Sequence, residues 1–301
     1  MTERLYRCYA KVNLSLEVLG RRSDGFHDLA SVVHTIGLAD DLRLDLADAL
    51  ISRVEGLDIE PTANLVARAA TLLRDASRSS RGAELTLLKR IPAAAGLGGG
   101  SSDAAATLLG LNALWDTRLG LTELKELATQ LGSDVPFFLR GGAAMMRGRG
   151  EELEALPPLR AHWLVLIVPP HDLADKTQRV YGALVPEDFS DGAVSERLAT
   201  RLRNTRSDGW QLADDELVNG FARAANAVFP RLAETHAAAQ RVCGRRFHLS
   251  GAGPALFALA ADRTDARLQA ARLAAAGLVA QAVRTVKHAR VSVRRAATAQ
   301  G

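Results

Sequence analysis

The chain has 301 residues, 48% of them hydrophobic and 24% charged, with a formal net charge of +4. That composition excludes a disordered or fibrous chain, and the length suits two domains or one bilobed unit. Two cysteines, Cys8 and Cys243, exclude a disulfide framework; with no apolar signal core at the N-terminus and no apolar run long enough to span a bilayer, we expect a cytoplasmic protein with no membrane partner.

Residues 9–19 read as a strand. Val12, Leu14, Leu16 and Val18 alternate with Lys11, Asn13, Ser15 and Glu17, so an apolar face backs a polar one that carries a cation and an amide. Residues 21–27 form a turn-rich loop punctuated by Asp24-Gly25, and 29–46 continue as strands broken at Gly37 and Asp40-Asp41. A helix follows over 64–74 with Asn64 at its N-cap, then a Ser/Arg linker at 77–82 and a strand at 83–91 closed by Pro92.

Next comes the loop Pro92-Ala93-Ala94-Ala95-Gly96-Leu97-Gly98-Gly99-Gly100-Ser101-Ser102, which runs into a helix marked by Leu108, Leu111 and Trp115. Glycines reach φ > 0 and let a ligand approach the main chain. A helix start has unpaired N–H groups and a partial positive charge. Together they make an anion site, most often for phosphate. Two named phosphate loops fail here. Ser101 stands where a Walker A loop needs Lys, and again where a dinucleotide fingerprint needs its third Gly.

A second helix spans 121–131, with Thr122 as a possible cap and Gly132 at its end. Ser133-Asp134-Val135-Pro136 follows, where Asp and Pro also suit a helix start. Pro157-Pro158 breaks the chain. The second half reads as a buried strand at 163–168, helices near 177–184, 193–203 and 214–240, and a strand–turn–strand over 247–259 around Ser250-Gly251-Ala252-Gly253-Pro254. A helix at 265–275 and a strand at 279–292 complete it. The basic stretch from Lys287 to Arg295 reads as a solvated strand and tail, and with no aromatic-interleaved basic stripe we expect no nucleic-acid partner. This mixed order gives an α+β fold of two lobes, residues 1–157 and 158–301.

Four motifs now stand in order: Ala10-Lys11-Val12-Asn13, the 92–102 loop, Gly132-Ser133-Asp134-Val135-Pro136, and the 250–254 turn. Together they resemble the GHMP kinase superfamily, for which Pro-x-x-x-Gly-Leu-Gly-Gly-Gly-Ser-Ser is specific. Within it, Arg22-x-Asp24-Gly25-Phe26-His27 and Asn64-Leu65-Val66 resemble a branch acting on an alcohol that carries cytidine diphosphate, in the non-mevalonate route to isoprenoid precursors. The aromatic of the first of these motifs is usually Tyr in that branch; here it is Phe26.

The resemblance implies a ribosomal-protein-S5-domain-2-like N-terminal lobe and a ferredoxin-like C-terminal lobe. It implies ATP and Mg²⁺ as cofactors, with the amides of 92–102 on the phosphates, Asn64 at the nucleotide and Ser102 reaching the metal. Asp134 becomes the catalytic aspartate and Lys11 its cationic partner. A loose phosphoryl-transfer transition state asks little of a base, so positioning by Asp134 weighs above proton removal. Asn13, Phe26, His27, Tyr181, Gly251 and Gly253 become substrate contacts, with His27 at the cytosine edge and Phe26 and Tyr181 as stacking faces. Local alternatives stand beside these roles. Asn64, Asp134 and the two serines suit helix caps, Tyr181 suits ordinary packing, and Gly251 and Gly253 suit a plain hairpin turn. Asp103, one residue on, should point away from phosphate. Another small-alcohol kinase, of homoserine or mevalonate type, is the rival reading, and a non-catalytic sensor on the same scaffold is a third. The oligomeric state is left open.

Overall fold

Residues 4–56, 64–170, 175–204, 211–287 and 294–295 are described by the computed structural model of the protein. The alternation seen at 9–19 belongs to a longer strand, β1 (Arg4–Arg21). It turns into β2 (His27–Ala47), and the two pair antiparallel from end to end. The expected breaks in β2 do not occur. Tyr9 pairs with Ala39 and Ala10 with Ile36, so Gly37 and Leu38 are absorbed as a bulge. Asp40 stays in the strand because its buried carboxylate accepts from Lys89 Nζ and from the amides of Arg90 and Ile91.

The same sheet takes in β3 (Leu50–Glu55) and, after helix α1 (Leu65–Ser77), β4 (Gly82–Leu88). Asn64 caps α1, its Oδ1 accepting from the amides of Val66 and Ala67. Then come α2 (Gly99–Trp115), α3 (Leu121–Leu131) and the four-residue α4 (Val135–Phe138). The cap of α3 is Gly120 rather than Thr122, because Glu123 reaches back to the Gly120 amide at 2.7 Å. β5 (Ala143–Arg147) and β6 (Glu152–Leu156) complete this half of the chain; β5 pairs with the first part of β2, and β4 with the last. α2 is buried nearly all round. Its Ala104, Ala105 and Ala106 let it sit close between the sheet and its neighbouring helices.

The second half supplies β7 (Trp163–Ile167), α5 (Lys176–Gly182), α6 (Ala193–Asn204), α7 (Ala222–Val228), α8 (Leu232–Cys243), β8 (His248–Leu249), β9 (Leu256–Ala260), α9 (Arg263–Ala275) and β10 (Ala280–Arg284). Its sheet order β10-β7-β9-β8, antiparallel throughout, is the ferredoxin-like arrangement. The helix expected over 214–240 is two helices, broken at Asn219-Gly220 and Phe229-Pro230. The last expected strand ends at Arg284, and 288–293 lie outside the described residues. β11 (Arg294–Arg295) then pairs with the start of β1. Among the described residues no helix is long and apolar enough to cross a membrane.

β1 threads all three apolar cores. Tyr6 and Cys8 join the core under α1, α2 and α3. Ala10, Val12 and Leu14 pack with Leu164, Leu166, Leu198 and Phe257. Leu16 and Val18 meet Phe221, Ala224 and Val165. The polar face of β1 is covered as well: Lys11, Asn13, Ser15 and Glu17 are all buried. Leu108 is fully buried at the centre of the first core. Leu108→Ala should lower the unfolding free energy by about 2–5 kcal/mol, measured by urea denaturation.

Candidate active site

The glycine loop begins where Asp40 ends β4. Its Oδ1 accepts the Ile91 amide at 2.8 Å and that of Arg90 as well, and the chain leaves the sheet there. Beneath the loop, Lys89 Nζ donates to Asp40 and, at 2.8 Å, to Asp103. Asp103 therefore points away from the loop mouth, as expected. One ammonium serves two buried carboxylates. Burial pushes Asp103 up to about 7; Lys89 opposes this and Asp40 adds to it. Burial alone would lower Lys89, but Asp103 and Asp40 outweigh it and hold the ammonium above its usual value.

The loop itself turns through Ala94 at φ 51°, Gly96 at φ 84° and Gly98 at φ 69°. Gly98 is the N-cap of α2 and supplies no side chain. Ser101 and Ser102 thus lie inside the first turn, not at the cap position, and the Ser102 amide already donates to Gly98 O at 2.9 Å. The amides of Gly99, Gly100 and Ser101 have no acceptor within their own helix. They face outward at its positive end, which suits an anion.

A turn from the other half of the chain closes onto this loop. Ala255 N donates to Ala95 O at 3.0 Å, and Ser250 Oγ to Gly96 O at 3.1 Å. A Cβ on Gly96 would lie 2.2 Å from Ser250 O, so only glycine allows the approach. Gly251 and Gly253 adopt φ 56° and 80° in that turn. Asn219, which sequence reasoning missed, fastens it by donating to Leu249 O and Gly251 O, each at 2.9 Å. Its only signal was the Asn219-Gly220 pair inside an apolar helical stretch.

Lys11 holds the loop from β1, its amide donating to Leu97 O at 2.9 Å. Its buried Nζ donates to Asn13 Oδ1 at 2.6 Å and stands 3.5 Å from Asp134 Oδ2. Asn13 is committed on its other side to Ser31 Oγ at 2.8 Å, so it orients Lys11 rather than reaching Asp134. Asp134 sits at the N-cap position of α4, yet its carboxylate makes no cap bond and is 35% exposed. It is therefore free to meet a ligand.

Lys176, the first residue of α5, was also missed; its segment drew notice for Tyr181 alone. Its buried Nζ donates to Gly253 O. Burial first, and Lys11 second, lower it to about 8. Farther along α5, the Tyr181 ring lies 5.4 Å from that of His27 and 4.7 Å from that of Phe221. Burial, then Asp134, hold its phenol protonated. Phe189, for which the sequence carried no signal, stands 6.0 Å from His27. Burial, then Arg21, lower His27, so its ring is neutral near pH 7 and presents one donor and one acceptor. Phe26 does not join this group: it is 54% exposed, with the Arg149 guanidinium 4.4 Å over its face. Asn64 is committed to its cap and, at 3.1 Å, to Ser52 Oγ. A cavity of about 510 Å³ beside Arg21, Asp28, Arg147 and Glu196 includes none of the candidate residues.

Two family models match the chain: the GHMP kinases N terminal domain over residues 64–142 and GHMP kinases C terminal over 207–278. The 4-diphosphocytidyl-2-C-methyl-D-erythritol kinase of Dehalococcoides mccartyi is 41% identical over 258 residues, covering 85% of this chain and 89% of that one. A crystal structure of 4-(cytidine 5'-diphospho)-2C-methyl-D-erythritol kinase superposes with a TM-score of 0.76 at 36% identity, over 93% of this chain and 98% of that one. Homoserine kinase from Cytophaga hutchinsonii shares the fold, with a TM-score of 0.68 at 16% identity over 97% of each chain.

Two outcomes follow from the loop. Gly96→Ala forces the loop off Ser250, at a strain of about 1–3 kcal/mol; titration calorimetry should show roughly tenfold weaker binding of a non-hydrolysable ATP analogue. The folded-state value of Asp103 is raised, so its contribution to stability is full below the unfolded carboxylate range and lost as pH rises through about 7. Asp103→Asn should flatten the decline of melting temperature between about pH 4 and pH 7.

Proposed function

Because the chain belongs to the GHMP kinase family and falls among its 4-diphosphocytidyl-2-C-methyl-D-erythritol kinases, we propose that it transfers the γ-phosphoryl group of ATP to the 2-hydroxyl of 4-diphosphocytidyl-2-C-methyl-D-erythritol, a step toward isoprenoid precursors. The observation that carries this reading is the Lys11–Asp134 pair, 3.5 Å apart beside the glycine loop. Asp134 accepts a hydrogen bond from the attacking hydroxyl, aims it and receives its proton. Lys11, aimed by Asn13, offsets negative charge at the transferred group. The amides at the start of α2 hold the phosphates, with Ser101 and Ser102 as further donors. Since most of the work is positioning and charge stabilisation, this small set suffices.

Mg²⁺ suits the donors present. It takes one or two protein oxygens, with phosphate oxygens and water completing its shell. The Ser102 hydroxyl, with Ser101 beside it, is our proposed protein ligand. Asp103 is committed to Lys89, and among the described residues no group of three or more His, Cys, Asp or Glu is placed to hold a metal alone. An ion held there with the nucleotide would shield phosphate charge.

At the other end, neutral His27 offers donor and acceptor to the cytosine edge, and Tyr181 offers a ring face. Phe26, beneath Arg149, forms an outer aromatic face for the same base. The Gly251 and Gly253 turn approaches the substrate phosphates. We place the lobe boundary at Pro157-Pro158, between β6 and β7.

With Mg-ATP the purified protein should phosphorylate the cytidylyl alcohol and leave mevalonate, homoserine and galactose untouched; turnover of one of those instead overturns the assignment. Asp134→Asn should retain ATP binding and lose roughly a hundredfold to ten-thousandfold in kcat. Undiminished turnover would reduce Asp134 to a helix-start residue.

A further inference from the structure

The site holds more positive charge than its own acids balance. Lys11 has Asp134 at 3.5 Å. Lys176 has only the Gly253 carbonyl, and among the described residues no carboxylate stands within ion-pair distance of it. Its side chain is nonetheless buried, at 7% exposure. Burying an ammonium against one carbonyl, with a second ammonium near enough to oppose it, is unfavourable in the free protein. If the role were only to fasten the 250–254 turn, a neutral amide donor would serve without that cost. An anion entering between the two lysines relieves both the burial and the repulsion.

The location narrows the anion. Gly253, which Lys176 grips, belongs to the turn whose Ser250 touches Gly96 of the phosphate loop. In the same turn, a Cβ on Gly251 would lie 3.4 Å from Lys11 Nζ. On its other side, Lys176 shares α5 with Tyr181, which faces His27 and feels the charge of Asp134. The ammonium thus lies between the loop that holds the donor's phosphates and the face that holds the acceptor. We propose that Lys176 is a second catalytic cation, contacting an oxygen of the phosphoryl group during transfer, opposite Lys11. This rests on the kinase reading above. It adds no covalent step: the bond from the γ-phosphorus to the β,γ-bridging oxygen breaks, the bond to the acceptor oxygen forms, and Lys176 keeps its protons.

Among the described residues, the groups that act on the Lys176 ammonium are Lys11 from β1 and the Gly253 carbonyl, so substitution at 176 is the direct test. Lys176→Gln keeps a donor for Gly253 and removes the charge; Lys176→Arg keeps the charge. Steady-state kinetics should show Gln losing about a hundredfold to a thousandfold in kcat with little change in KM for the acceptor, and Arg staying within about tenfold of the parent. Full activity in Lys176→Gln would make the residue a tether. A loss confined to acceptor KM would assign the ammonium to the acceptor's diphosphate. Either result overturns the proposal.

A second readout does not depend on which alcohol is used. Binding of ADP with aluminium fluoride, a mimic of the phosphoryl group in transfer, should weaken more than tenfold in Lys176→Gln while ADP alone binds as before. If the parent protein ignores the cytidylyl alcohol yet shows this difference, the substrate assignment fails and the cation stands. Equal weakening of both ligands overturns the cation. Should Lys176→Gln fail to fold, Lys176→Met beside Lys176→Arg gives the same comparison.

Discussion

The site depends on one backbone contact, Gly96 against Ser250, where two loops distant in sequence meet with no room for a methyl group. The glycine loop is therefore not shaped by its own glycines alone. It is pressed from outside by the 250–254 turn, from below by Asp40, and from the side by the Lys11 amide. Lys11, Asp134 and Lys176 stand on three separate elements, and Lys176 is tied to the turn that makes this contact. A shift of the turn moves Lys176 with it, since that side chain is bonded to the turn itself.

Two groups of charges sit close together and obey different rules. Asp40, Lys89 and Asp103 have side chains 3% exposed or less; Lys89 bridges the two carboxylates, and Asp40 also takes two backbone amides. Such a buried set fixes geometry, and its stability contribution is small or negative unless every member is paired. Lys11, Asp134 and Lys176 are the opposite case, with an open carboxylate and a surplus cation. The first group holds the floor of the loop. The second carries one more cation than carboxylate.

Much of this was legible in the sequence. Glycine, proline and serine order at 92–102 reports a backbone requirement, which is local, so the shape of the loop could be read directly. The alternation of β1 likewise put Lys11 and Asn13 on one face. What failed was whatever depended on partners far along the chain. Asp40 looked like a strand breaker because its three donors come from residues 89–91. The Ser31 partner of Asn13 could not be foreseen across the hairpin. Arg149 over Phe26 and His27 beside Tyr181 were equally out of view. Lys176 gave no pattern at all: a lysine opening a short helix is ordinarily solvated, and only the fold buries it.

The passage of β1 through all three cores bears on how the chain is made. Its middle is covered by residues from 164 to 257, and its first residues gain their outer partner only at Arg294–Arg295. A ribosome releases β1 well before these neighbours. For most of synthesis this strand waits with an open edge and unburied valines and leucines. Burial of β1 therefore waits on segments from both halves of the chain.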